Sequence, residues 1–389
     1  MLADMIPYST LLPGDLETRW YLHMPLLAAI CLASLPSLWQ SKLLPTGYWF
    51  FLGWVLVTVT YAPDPVRSLG RFITLVLVLA GVCNIASRIR NEDDLHNLLD
   101  IYLRTAAALV WVNLLAEPFK IGWVFDDEGG LYRFVGFTAQ PNLIGQLMAV
   151  TIEAGLLHWS RCKWKAWLGL TMIVALIMGI MADSRTPFVC LSVAIAAWLA
   201  YKHGLKGRLA GLALLTVLLL LKSSSNPYIS RGMDTYNGRS LYWAYEEHKI
   251  AQNPLFGYGY AIEGLLFDNR DFPIWNADFD LHSTLQNSYL SLCVGIGIIA
   301  TGAFLFLFLR PWVALFMHRN SNKTLKSLFF LIVLPALVYG ISESGIESPK
   351  SLDGLLLFIS WLLAERYRKS RALQRRRRLE QLNALPSVR

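Results

Sequence analysis

The stretch GIMADSRTPFVCLSVAIAAW, residues 179–198, joins two apolar runs at Asp183, Ser184 and Arg185. A guanidinium is costly to bring near hydrocarbon, so an arginine at such a join sits where a charged partner repays the placement. The flanking runs, 166–182 and 186–201, are close to the roughly 20 apolar residues that cross about 30 Å of bilayer core. Further runs extend outward on both sides, near 21–38, 44–61, 71–88, 99–117, 142–159, 207–222, 287–310, 326–342 and 352–365. With 55% apolar residues and only 16% charged ones, the 389-residue chain lacks the charge to cover a soluble surface of this size. The runs predict an all-α polytopic membrane protein of about eleven or twelve transmembrane helices.

Loop charge orients the spans. HWSRCKWK (158–165), YKHGLKGR (201–208), MHRNSNKTLK (317–326) and the tail RYRKSRALQRRRR (366–378) fall on one side of the alternating runs, with RIRNEDDLHN (88–97). The positive-inside rule makes that side cytoplasmic. Eleven spans then place the N-terminus outside and the C-terminus in the cytoplasm. The net charge of +8 concentrates on these short loops and the tail, which points to anionic membrane lipids and away from nucleic acid. Residues 1–20 carry Asp4, Asp15 and Glu17 without a basic segment before an apolar core, so no cleavable signal is expected. Five cysteines without a CxxC pair read as small core residues rather than disulfides or zinc ligands.

One outer loop, 223–285, is too long to be a mere connector. The spans divide the chain into an N-terminal bundle (1–222), this loop subdomain (223–285), C-terminal helices (286–366) and a basic tail (367–389). Within the loop, RSLYWAYEEHKIAQ (239–252) places Leu241, Ala244, Tyr245 and His248 on one helical face, and NPLFGYGY (253–260) breaks it.

Positive-inside bias makes arginine scarce outside, so Arg133, Arg185, Arg231, Arg239 and Arg270 each ask for a reason. A guanidinium offers a planar fork of donors that matches phosphate oxygens at any relevant pH. Arg185 and Arg239, both at the outer boundary, suit a lipid-linked diphosphate. The competing reading is snorkelling, or pairing with Asp183 or Glu246. Of the histidines, His23, His248 and His282 are outside. His282 precedes a span in DFDLHSTLQNSYLSL (278–292), where an imidazole titrating near 6.5 is a candidate general base. Asp278, Asp280 and His282 alternate without a calcium-loop pattern, so no metal is expected. Glu153 lies within a span, and Glu343 and Glu347 stand at an outer end, placed to orient a base or pair an arginine.

These elements resemble those of the O-antigen ligase and polymerase superfamily. RFVGFTAQPNLIGQLMA (133–149) is similar to its R-x-x-G-x-x-x-x-P-N element through Arg133, Gly136, Pro141, Asn142 and Gly145. DSRTPFV (183–189) resembles its Ser-Arg hairpin. GRSLYWAYEEHKIAQNPLFGYG (238–259) resembles its G-R…W…P-L-x-G-x-G element through Gly238, Arg239, Trp243, Pro254, Gly257 and Gly259. QNSYLSLCVGIGIIATG (286–302) is similar to the element that opens the following span, with Gln286 where members commonly carry histidine.

The resemblance implies a GT-C-like glycosyltransferase in the inner membrane of a Gram-negative bacterium. It would move O-antigen from undecaprenyl diphosphate to lipid A–core on the periplasmic face, with inversion and without a metal or cofactor. It implies that Arg185 and Arg239 engage the diphosphate. His282, one helical turn before Gln286, takes the role of base. Arg133, Asn142, Trp243, Gln286, Asn287, Tyr289 and Glu343 are the expected substrate contacts. An O-antigen polymerase and a protein O-oligosaccharyltransferase share the motifs. A transporter would instead show paired ionisable groups at mid-membrane.

Overall fold

The computed structural model describes residues 32–117, 123–126, 131–137, 141–182, 184–222, 239–262, 266, 287–318, 322–341 and 352–383. The chain is mostly helical. In order come α1 (Pro36–Gln40), α2 (Thr46–Val59), α3 (Pro65–Arg88) and α4 (Glu92–Ala116). A two-stranded antiparallel hairpin follows, β1 (Trp123–Asp126) with β2 (Leu131–Phe134). Then come α5 (Pro141–His158), α6 (Lys165–Met181), α7 (Arg185–Lys222), α8 (Arg239–Gln252), α9 (Ser288–Ile296) and α10 (Ile298–Met317). The chain closes with α11 (Lys323–Leu328), a π turn (Phe329–Val333), α12 (Leu334–Tyr339) and α13 (Leu352–Asn383). The hairpin departs from the all-helical expectation: residues 118–141 read as a loop, yet four-residue strands form within it.

Among the described residues, four helical segments are long and apolar enough, by length and composition, to cross a membrane: Pro65–Arg88, Glu92–Leu115, Arg185–Ala213, which is interrupted at Gly204, and Ile298–Met317. Large apolar side chains such as Phe50, Ile73, Ile101, Ile177, Phe306 and Val313 are exposed along the helices. Water does not tolerate such a surface, whereas a bilayer does. The helix starts are locally encoded. Asp64 accepts from the Arg67 amide ahead of Pro65, and Asn91 with Asp94 forms a capping box at α4, whose first turn carries Glu92, Asp93 and Asp94.

Helix α7 unites two expected spans, 186–201 and 207–222, and reverses at Gly204 (φ 59°, ψ −128°). Its second half returns along the first, since a Cβ on Gly211 would meet the Ala196 carbonyl oxygen at 3.0 Å. The expected span 287–310 is instead broken into α9 and α10 at Gly297 (φ 84°). A helix break leaves backbone groups orphaned, and here several are answered by distant partners. The Tyr258 and Gly259 amides donate to the Val294 and Gly295 carbonyls at 2.8 Å, the Ile298 amide donates to the Pro254 carbonyl at 2.8 Å, and Trp54 Nε1 donates to the Ile296 carbonyl at 3.0 Å. The PLFGYG segment therefore seals the break. Gly257 (φ 68°) is needed for this approach, because a Cβ there would lie 2.6 Å from the Val294 and Gly295 carbonyl oxygens. Gly257→Val is expected to cost about 2–4 kcal/mol by combining a disfavoured φ with a clash, read as a lowered thermal midpoint in detergent.

The loops sort to two ends. At one, Lys369 Nζ donates to the Lys42, Leu43 and Leu44 carbonyls at 2.9, 3.1 and 3.3 Å, and Arg366 donates to the Ala86 and Ile89 carbonyls. Arg161 pairs with Asp93 at 3.3 Å, Trp164 Nε1 donates to Asp100 at 2.7 Å, and Thr324 donates to Glu92 at 2.8 Å. Burial presses the Lys369 pKa down, Arg368 adds to that, and Glu365 opposes it. These are the loops expected to be cytoplasmic. At the other end Tyr61 donates to the Phe256 carbonyl at 2.6 Å, and Ser68 donates to the Tyr260 carbonyl at 2.9 Å. Between the ends, Tyr48, Phe304, Phe308, Phe358 and Trp361 form a buried aromatic core, with Tyr48 and Trp361 centroids 5.1 Å apart. Residues 366–383, the described part of the basic tail, continue α13 without a break. Its residues are good helix formers, and Arg376 pairs with Glu380 at i,i+4, 2.9 Å apart.

Candidate functional site

The end opposite the basic loops gathers the arginine motifs. Buried Asn113, near the end of α4, is the anchor. Its amide donates to the Leu109 carbonyl at 2.8 Å, and its Oδ1 accepts from the Phe137 amide at 2.8 Å. Gly136 packs directly against that side chain. This fixes the exit from β2, where Arg133 is half-buried and donates through Nε to the Ala182 carbonyl at 3.1 Å. Ala182 caps the C-terminus of α6, where a cation meets the negative end of the helix dipole. Two residues on, buried Ser184 donates to Asn142 Oδ1 at 3.0 Å, next to half-buried Arg185 at the start of α7. A Cβ on Gly145 would lie 2.7 Å from Ser184 and 2.8 Å from Pro187, so α5 meets this turn only because a glycine is there. Residues 52 positions apart, Arg133 and Arg185, are thus carried to one turn.

The second cluster is built on α8 and α9. Arg239 begins α8; its side chain, like Asp183, lies outside the described residues. Trp243 is half-buried on this helix. The face that α8 buries holds Tyr245, Glu246 and Lys249, whereas Ala244 and His248 are exposed. The apolar stripe read from the sequence is therefore displaced by a position or so, because α8 docks through polar groups. Ser291 donates to Glu246 Oε1 at 2.9 Å, and the Lys249 ammonium stands over the Tyr245 and Tyr258 rings at 5.3 and 5.9 Å.

Asn287 and Tyr289, expected as substrate contacts, hold structure together. Asn287 is buried, and its Oδ1 caps α9 by accepting from the Tyr289 and Leu290 amides at 3.0 and 3.1 Å. The Tyr289 hydroxyl donates to the Leu337 carbonyl at 2.7 Å. His282, Gln286 and Glu343 lie outside the described residues. Their neighbours Asn287 and Ile341 are placed, and the Ser288 amide donates to the Gly340 carbonyl at 2.9 Å. The two clusters join through Gln146, one turn below Asn142, whose amide donates to the Tyr339 hydroxyl at 2.6 Å.

Sequence reasoning missed Asn113, Gln146, Tyr339 and the Ser291–Glu246 bond. A lone asparagine in the apolar run ALVWVNLLA (108–116) was the available signal for the first, since buried amides are retained where they bond to backbone. Asn113→Ala is expected to release the Arg133 segment at a cost of about 1–3 kcal/mol, seen as faster amide exchange at Phe137. No protein-family model and no curated protein matches the chain. Among the described residues no group of three or more metal-ligating side chains is assembled.

Proposed function

We propose that the protein is a metal-independent, inverting membrane glycosyltransferase. It transfers O-antigen from undecaprenyl diphosphate to a sugar hydroxyl of lipid A–core at the periplasmic face of a Gram-negative inner membrane. The observation that carries this reading is the convergence of Arg133 and Arg185 on the Ala182–Arg185 turn, at the end opposite the basic loops. A diphosphate ester is already a good leaving group. Catalysis then needs positioning, proton removal from the acceptor, and donors for the charge that grows on the leaving oxygen.

In this account Arg185, with Arg239 opening the loop helix, binds that growing charge. His282 takes the acceptor proton and Gln286 orients the acceptor. Arg133 buttresses the turn and Trp243 supplies a stacking surface. On this reading the spans would form a GT-C-like bundle of about eleven or twelve helices, the last leaving on the cytoplasmic side.

The test is expression in a Gram-negative host that lacks its own ligase but makes carrier-linked O-antigen. Recovery of an O-antigen ladder on lipid A–core is expected. Longer carrier-linked glycans with bare lipid A–core would make the protein a polymerase. Glycan on protein would make it an oligosaccharyltransferase.

A further inference from the structure

The start of α3 carries two cations that the arginine turn does not use. Arg67 and Arg71 stand one turn apart on one face, roughly 3 and 9 Å along the helix from Pro65. Arg67 is exposed and Arg71 half-buried. The bond from Ser68 to the Tyr260 carbonyl puts them at the end away from the basic loops, where Arg366 meets the other end of α3. Among the described residues neither guanidinium has a hydrogen-bond or ion-pair partner. Asp64, the nearest acid in the chain, caps the helix by accepting from the Arg67 amide at 2.9 Å. Like charges one turn apart disfavour a helix, so the pair calls for an anion. Gly70 shares their face, beside Arg71 and three residues after Arg67. Its φ is not positive, and a Cβ there would meet nothing within 4 Å. Neither backbone geometry nor packing asks for a glycine, which weakens a helix relative to alanine. Val66, Leu69 and Ile73 are exposed on the adjoining flank, an apolar surface suited to lipid.

We propose that Arg67, Arg71 and the notch at Gly70 seat the headgroup of a membrane lipid that carries a phosphate monoester. Each guanidinium offers a planar fork of donors that matches phosphate oxygens. The pair presents two such forks and two charges. A phosphodiester has two free oxygens and one charge, too few for both forks. A monoester has three oxygens and up to two charges, and it answers both. Arg71 lies a turn deeper than Arg67, and its long stem lets the guanidinium reach up to headgroup level. The missing side chain at Gly70 lets the phosphate approach the helix between the two forks. The lipid's tails then run down the Val66, Leu69 and Ile73 flank. This seat is separate from the arginine turn: α3 packs against α1, α2 and α13, whereas that turn is built on α5, α6 and α7. The inference goes beyond the transfer reading and does not depend on it.

The test is photolabelling of the whole protein in phosphatidylcholine nanodiscs. The probe is phosphatidic acid, a monoester, with a diazirine in its acyl chain close to the glycerol. Phosphatidylglycerol, a diester, carries the same diazirine in a parallel sample. Phosphatidic acid is expected to label the peptide covering 64–74 about tenfold more than phosphatidylglycerol does. Reading that peptide alone keeps the basic loops at the other end out of the measurement. The excess should vanish in the Arg67→Gln, Arg71→Gln double variant and shrink in the paired lysine variant, which keeps charge without the fork. It should also vanish in Gly70→Leu, which favours the helix and so should not lower the thermal midpoint. Gly70→Ala serves as a smaller filling if leucine disturbs the fold. Equal labelling by the two lipids would make this an ordinary headgroup contact and overturn the proposal. So would an excess that survives the double glutamine variant or the filled notch. A lipid preference in a protein that transfers no glycan would uphold the seat and count against the transfer reading alone.

Discussion

Arg185→Ala should lower glycan transfer by about 10²–10³-fold or more, the range seen when a donor aimed at developing charge is removed. The reasoning is local. Arg185 opens α7 at a turn also held by the Ser184–Asn142 and Arg133–Ala182 bonds, which remain when its side chain is removed. The thermal midpoint should therefore move little while turnover collapses. Arg185→Lys should recover only part of the loss. An ammonium is a strongly hydrated point charge and cannot present the planar fork that matches two phosphate oxygens. An equal fall in stability and turnover would instead give Arg185 a structural role.

His282→Ala should be comparably severe, about 10²–10⁴-fold, as expected for removal of a general base. Gln286→Ala should cost less and appear mainly as a higher KM for the acceptor, because a neutral amide orients a hydroxyl without taking its proton. His282→Ala should also flatten the acidic limb of the pH–rate profile, which a merely structural histidine would leave in place. If Gln286→Ala proved the more damaging change and the acidic limb persisted in His282→Ala, the base would have to be sought elsewhere.

Much of the architecture was legible because hydropathy and loop charge act over tens of residues. The runs at 71–88 and 99–117 match α3 and α4 to within a residue at their C-terminal ends, and loops expected together do meet, as Arg161 with Asp93 and Thr324 with Glu92 show. Breaks were harder to read. Residues 287–310 are mostly apolar, and the Gly295-Ile296-Gly297 triplet is the local hint that the helix stops. What stops it is the distant 254–260 segment, which no local pattern reveals. The site was legible by composition rather than by contact. Scarce outer arginines pointed to Arg133 and Arg185, whereas Asn113 and the Gln146–Tyr339 bond depend on pairings 24 and 193 residues apart. Asn287 caps α9 and Tyr289 bonds a backbone carbonyl, partnerships that look the same in sequence as ligand contacts.

The most direct measurement uses purified protein in nanodiscs with undecaprenyl diphosphate-linked O-antigen and lipid A–core, in excess EDTA. Both the size of lipid A–core and the release of undecaprenyl diphosphate are followed. The account predicts that lipid A–core gains glycan in step with diphosphate release, undiminished by the chelator and lost in Arg185→Ala. Activity that vanished in EDTA and returned with a divalent cation, or transfer untouched by Arg185→Ala, would contradict it.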